Sequence, residues 1–302
     1  MISVLMCVYK EPVSYIIQSV ESIIYQTYPD IEFIIIVDDP TNTEVIRKLE
    51  EYRDKYEMIS LYINEKNIGL VDSLNKGLQY CHGEYIARMD ADDIAMDTRL
   101  EKQLFYLEKE QYDIAGAWFE QFDEKDSAQK IIKFDMPVEN YKCKEHLRKG
   151  SCLAHPTWLV RKEVYDALHG YRNIVTCEDY DFLIRCTLSG YRMGNCPEVL
   201  LKYRVHGESI SKKNNIEQTV LSGYLAQMYR KGKMVSIDQY ENYKKSYRYR
   251  KEIEAKERVQ KKIQRAKSEK KSAKKFLYYV TILFEINYVI QYVKNKVSGM
   301  RR

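Results

Sequence analysis

Residues 85–93, YIARMDADD, open as an apolar strand and close on three carboxylates. The same design occurs upstream, where FIIIV at 33–37 is followed by Asp38, Asp39 and Pro40. Around these runs, ISVLMCVY at 2–9 and Ile59–Ile63 read as further buried strands, short and rich in β-branched residues. Helical spacing fills the gaps: Val13–Ile24 after Pro12, Thr43–Tyr56 with Thr43 as its cap, and Leu70–Tyr80 after the Asn67–Gly69 turn. Strands alternating with helices of this length predict an α/β fold with a doubly wound, mostly parallel sheet. Ligands of such sheets bind beyond the carboxyl ends of the strands, and both acidic clusters stand there.

Past about Asp97 the alternation loosens. The pattern predicts a helix at Thr98–Glu110, strands near Ile114–Phe122 and Lys130–Phe134, and a helix near Glu139–Lys149. A strand at Thr157–Val160, a helix ending at Gly170, a helix at Glu178–Ser189 and a strand at Val199–Val205 follow. Residues 244–275 are densely charged and read as a solvated helix. Residues 276–293, FLYYVTILFEINYVIQYV, form an aromatic, amphipathic segment.

Composition narrows the class. Hydrophobic residues make up 45% of the 302 and charged residues 31%, enough for a packed core and too apolar for wholesale disorder. Seven cysteines, odd in number and without a C-x-x-C pair, argue against a disulfide framework or zinc site and for a reducing compartment. No basic leader precedes the first strand and no run reaches 18 apolar residues, so neither a secretory signal nor a transmembrane helix is expected. Net charge divides sharply: residues 1–243 sum to −9 and residues 244–302 to +14. An acidic body with a basic tail points the tail toward an anionic surface.

Asp90-x-Asp92 after a strand offers hard oxygen ligands suited to Mg2+ or Mn2+, which commonly bridge a protein to a phosphate-bearing ligand. An acidic loop that only caps the next helix is the alternative, and Asp97 is better placed for that. Further segments extend the pattern: SVLMCVY (3–9), SIIYQTYP (22–29), IIIVDD (34–39), NIGLVDSLNKGL (67–78), GEYIARMDADD (83–93), HPT (155–157), EDYDFLIR (178–185) and YRVHGESIS (203–211). In this order they resemble family 2 glycosyltransferases with the GT-A fold over about residues 2–211, and most resemble bacterial enzymes of capsule, exopolysaccharide and O-antigen synthesis.

The resemblance implies a nucleotide-sugar half at 1–97, an acceptor half at 98–211 and a helical, basic extension at 212–302. It implies that Asp39 contacts the nucleotide base of a UDP-sugar while Asp38 supports the turn, and that Asn67, with Gly69, Asn75 and Gly77, lies under the nucleotide. Asp90 is expected near the ribose and the metal, and Asp92 as the principal metal ligand. Arg88 is expected to reach the sugar or diphosphate, with a packing arginine as the alternative. Asp179, in the Glu178-Asp179 pair, is the expected catalytic base of a direct, inverting displacement. His206 is a candidate metal ligand or diphosphate donor, with a hinge or surface position as the alternative. Arg204 stands between phosphate pairing and a bridge to the acidic body, and His155 between the acceptor pocket and a structural place.

The implied enzyme is metal-dependent, takes Mn2+ or Mg2+, and transfers a sugar to a glycan acceptor, expected to be lipid-linked. It is expected in the cytoplasm, peripheral at the inner face of the membrane and held there by residues 244–302; core packing or a homo-oligomer contact are the alternatives for 276–293. Nucleic acid is not an expected partner, since no recognition motif accompanies the basic tail. A sugar nucleotidyltransferase would want a glycine-rich basic loop where Tyr9-Lys10-Glu11-Pro12 stands. A glycoside hydrolase using Asp92 and Asp179 would not need the nucleotide-site pattern.

Overall fold

The computed structural model describes residues 1–123, 132–174, 176–205 and 215–268. In chain order the elements begin with β1 (Ile2–Val8), α1 (Val13–Ile24), β2 (Ile31–Val37), α2 (Thr43–Lys55), β3 (Ile59–Ile63), α3 (Leu70–Leu78) and β4 (Tyr85–Asp90). They continue with β5 (Ile94–Ala95), α4 (Arg99–Glu110), β6 (Ile114–Phe122), β7 (Ile132–Phe134), α5 (Asn140–His146), a 3-10 turn (His155–Thr157) and β8 (Leu159–Arg161). Then come α6 (Lys162–Ala167), α7 (Glu178–Leu188), β9 (Met193–Arg204), α8 (Asn215–Arg230), α9 (Ile237–Lys245) and α10 (Tyr247–Ser268).

One sheet runs β3-β2-β1-β4-β8-β6-β9-β5, with β7 on β6. The first four strands pair parallel, as expected of strands linked by helical crossovers. From β4 onward the pairing is mixed: β8 runs antiparallel to β4 and β6, β9 is parallel to β6, and β5 is antiparallel to β9. Helices cover both faces of β1, so its residues are buried almost without alternation: Ile2, Val4, Met6 and Val8 join one core while Ser3 and Leu5 face the other side, buried too.

Strand order 3-2-1-4 makes the crossovers leave β1 on opposite sides, which opens a crevice at the carboxyl ends of β1 and β4. Cys7 of β1 lies opposite Asp90 of β4 in the register, and Val8 lies opposite Val37 of β2. The Asp38 and Asp90 ends therefore flank the loop that follows β1.

Several expected details change. Asn42, not Thr43, caps α2, its Oδ1 accepting from Val45 N–H at 3.3 Å; the two polar neighbours compete, and the extra residue lets Asn42 reach the third amide. The strand expected at Thr157–Val160 begins only at Leu159, because the Pro156 segment is wound into the 3-10 turn. The closing strand starts at Met193 rather than Val199. The charged tail helix is interrupted at Ser246, whose extended backbone ends α9 and whose Oγ accepts from Tyr249 N–H at 3.1 Å to cap α10.

The chain divides into two compact units, residues 1–213 with 222–235, and residues 214–221 with 236–302. In the second, Tyr240 and Tyr243 are buried, Tyr249 Oη donates to Glu217 at 3.0 Å, and α10 carries nine Lys and Arg against three Glu. Residues 276–293 and His206 lie outside the described residues.

Candidate active site

The turn after β4 is built to hold carboxylates together. Ser19 Oγ of α1 donates to the Asp90 carbonyl at 2.8 Å, and Gln26 Nε2 to the Met96 carbonyl at 2.8 Å. From β9, Arg204 N–H donates to Asp93 Oδ1 at 2.9 Å and Arg204 Nε to the Asp92 carbonyl at 2.6 Å, while the guanidinium lies over the Tyr15 ring. Arg204 thus forms a bridge to the acidic turn.

Among the described residues, one oxygen each from Asp90, Asp92 and Asp93 lies within 4.8 Å of the others. Asp93 is buried, with Oδ2 in no hydrogen bond, and burial followed by the charges of Asp90 and Asp92 raises its pKa well above the usual range. Burial also raises Asp90, opposed by Arg88 and reinforced by Asp92. An all-oxygen donor set with an orphaned buried oxygen fits a hard divalent cation. Arg88 lies beneath the cluster at 2% exposure; Nη2 pairs with Asp90 and Nη1 donates to the Met89 carbonyl. In this position it supports Asp90, while its buried Nε has no hydrogen-bond partner.

The end of β2 is arranged differently. Asp38 is buried and its oxygens accept from Asn64 Nδ2 at 2.8 Å, Ile68 N–H at 2.9 Å and Gly69 N–H at 2.9 Å. This fixes the 64–69 turn, on which Asn67 is exposed, and Gly69 enters α3 at φ +88°, a backbone that glycine adopts without strain. Asp39 turns outward, and the Thr41 hydroxyl and amide lower its pKa. The loop after β1 contributes a carboxylate that residue patterns missed: Glu11 accepts from Tyr9 N–H at 2.7 Å, and burial raises its pKa with smaller pushes from Asp92 and Asp90. Its place at the switch point of the sheet was the available signal.

Across the crevice α7 begins with Glu178 and Asp179. Burial raises Asp179 to about 6, opposed by the Tyr180 and Asp179 amides, with Asp90 adding to the rise. Burial likewise raises Glu178 to about 7, with the Asp179 charge next and a smaller push from Asp90. The Asp90 charge therefore reaches the α7 carboxylates. Asp181 points away into the protein, paired with Arg172 and with Arg185 Nε at 2.9 Å.

His155 is half-buried and bonded to Tyr171. Its ring nitrogen lies 2.8 Å from Tyr171 Oη among Trp158, Tyr165 and Phe182, and burial with the nearby Arg88 charge drives its pKa well below the usual value, so the ring is neutral. Asn75, expected under the nucleotide, is bonded to the backbone of Tyr171. Two grooves, of about 960 and 740 Å³, lie elsewhere, along Asp135–Lys149 and along α4 with Cys196–Glu198. Neither includes an expected site residue.

Residues 3–168 match the model of glycosyl transferase family 2. An uncharacterized glycosyltransferase of Methanocaldococcus jannaschii is 37% identical over 209 residues, 68% of this chain and 71% of that protein. An O-antigen biosynthesis glycosyltransferase of Escherichia coli is 34% identical over 215 residues, 70% of this chain and 82% of that protein. Among solved structures, residues 1–349 of Staphylococcus aureus TarS with UDP-GlcNAc superpose with a TM-score of 0.62 at 16% identity, covering 79% of this chain and 69% of that one. A Pyrobaculum calidifontis mannosyltransferase with GDP-Man and Mn2+ superposes with a TM-score of 0.60 at 15% identity, covering 97% and 86%. The two structures share the fold, and the two sequence relatives match about two thirds of the chain. The chain belongs to glycosyl transferase family 2 and has the GT-A fold.

Proposed function

We propose that this glycosyltransferase moves a hexose or N-acetylhexosamine, with inversion, from a UDP-sugar to a hydroxyl of a growing, lipid-linked surface polysaccharide. The observation that carries the reading is Asp179 at the start of α7, a carboxylate whose pKa burial raises to about 6, with the Asp90 charge adding to the rise. A carboxylate of ordinary pKa is a weak base, and a rise toward neutrality improves it while leaving it ionised at pH 7. As the acceptor oxygen bonds to the anomeric carbon, its proton passes to Asp179. The bond from that carbon to the diphosphate breaks at the same time, and its electron pair leaves on the phosphate oxygen.

Asp90, Asp92 and Asp93 would hold a divalent cation, with His206 as a further candidate ligand. When bound, Mn2+ or Mg2+ supplies Lewis-acid neutralisation of the negative charge on the leaving diphosphate. Arg88 acts here by orienting Asp90. Asp39 and Asn67 are assigned to the nucleoside end of the donor. The structural neighbour holding GDP-Man and Mn2+ and the one holding UDP-GlcNAc support a nucleotide-sugar donor; the O-antigen relative supports a surface glycan as product.

The basic tail is read as a tether to anionic lipid, each engaged Lys or Arg contributing about 1 kcal/mol. Among the described residues no helix is long and apolar enough to cross a membrane. A panel of NDP-sugars, scored by thermal shift with and without Mn2+, tests the donor. A UDP-sugar that raises Tm only with Mn2+ is expected, followed by an inverted anomeric signal in the product by NMR. Absence of a shift with every NDP-sugar contradicts the reading. For the tail, removal of 244–302 is expected to abolish sedimentation with phosphatidylserine-containing vesicles, and retained sedimentation contradicts it.

A further inference from the structure

Asp179 follows a loop, and one side chain from the donor half clasps the start of that loop. Asn75 of α3 bonds both ways with one residue: Nδ2 donates to the Tyr171 carbonyl at 2.9 Å, and Oδ1 accepts from Tyr171 N–H at 2.8 Å. Gly170 closes against it at φ +66°, where an added Cβ would stand 2.4 Å from Asn75 Oδ1. The same stretch is held from α7, since Arg185 donates to the Leu168 and Gly170 carbonyls at 2.8 Å each. Tyr171 Oη meets His155 at 2.8 Å and Tyr165 at 2.9 Å. The charges of Arg88 and Asp179 both act on Tyr171. At its other end α3 starts from the turn that Asp38 fixes.

We propose that Asn75 is a positioning residue: it sets the distance from the nucleotide-facing turn to Asp179 by locking residues 170–171 onto α3. This rests on the reading of Asp179 as the base. The position needs a donor and an acceptor on one short side chain, which asparagine provides and aspartate or leucine does not. Asn75 touches no reacting atom; it acts on the rate through where Asp179 stands, and a displacement of about 1 Å can cost about 10²-fold in turnover.

The test is Asn75→Ala in the full chain. UDP with Mn2+ is titrated by calorimetry, and kcat and donor KM are measured with the NDP-sugar selected by the thermal-shift panel, following nucleotide release. UDP affinity and donor KM are expected to stay within about threefold of wild type while kcat falls about 30- to 100-fold. Hydrogen exchange is expected to quicken in peptides covering 168–174 and to hold steady in 64–74. If kcat is unchanged, or affinity and kcat fall together, the proposal is overturned. Should Asn75→Ala fail to fold, Gly170→Ala strains the same clasp from the loop side and is expected to give the same split, with the same contrary results. A wild-type protein that binds no UDP in Mn2+ overturns the underlying functional reading as well, which distinguishes that failure from failure of the clasp alone.

Discussion

At the end of β2, Asp38 receives three N–H donors on its two oxygens, whereas at the end of β4 three carboxylates crowd within 4.8 Å and Asp93 keeps an oxygen without a hydrogen bond. In sequence the two ends look alike, each an apolar strand running into aspartates. They differ in what answers the charge. Neutral amides satisfy Asp38 and turn it into a structural staple for the 64–69 turn. The β4 cluster crowds three carboxylates beside Arg88, Arg99 and Arg204, and burial still raises the pKa values of Asp90 and Asp93, a cost that a divalent cation would relieve.

Asp92→Asn sharpens this contrast most. Nucleotide release from the donor sugar is expected to fall by about 10³-fold or more, with little change in the unfolding curve, because a ligand is lost and a crowded charge is removed. Normal turnover in this variant would erase the distinction between the two strand ends. Asp179→Asn is expected to cost at least about 10²-fold in kcat while calorimetry still registers UDP with Mn2+; equal loss of both would make Asp179 structural. In the wild type, kcat is expected to rise with pH along an acid limb near 6, where Asp179 loses its proton.

Stability separates the two ends in the opposite direction. Asp38→Ala strands the Asn64, Ile68 and Gly69 donors, and urea unfolding is expected to report a loss of about 2–3 kcal/mol. Because the folded chain holds the protons of Asp179 and Glu178 more tightly than the unfolded chain does, ionising them removes stability as pH rises from about 4 to 7. Glu178→Gln is therefore expected to raise Tm at pH 8 and leave it nearly unchanged at pH 4; a lower Tm at pH 8 would contradict the raised pKa. Asp39→Ala carries the smallest effect, about tenfold or less in UDP affinity with no measurable change in stability, since its bonds are local and exposed.

The parallel half of the sheet was legible because its strands are continuous apolar runs and its helices carry clean spacing; Val13–Ile24 is the helix the pattern predicts, residue for residue. The mixed half was less so. β5 is two residues long, and β9 passes through Asn195, Pro197 and Glu198 while its pairing with β6 shifts register at Trp118. Such a strand exists through its partners, not through its own pattern. Within the site, Asp90, Asp92 and Asp179 stand out by residue type at strand and helix ends. Asn75 does not, because its partner lies 96 residues away. The division of labour between Asp38 and Asp39 likewise depends on a turn some 30 residues downstream.

The central claim, that the carboxylates after β4 hold a divalent cation that helps to hold the nucleotide, is tested most directly by Mn2+ paramagnetic resonance on the full chain. Titration is expected to show a bound ion whose affinity rises when UDP is added, and Asp92→Ala is expected to lose both the ion and the UDP effect. Equal Mn2+ and UDP binding by wild type and Asp92→Ala would contradict the account.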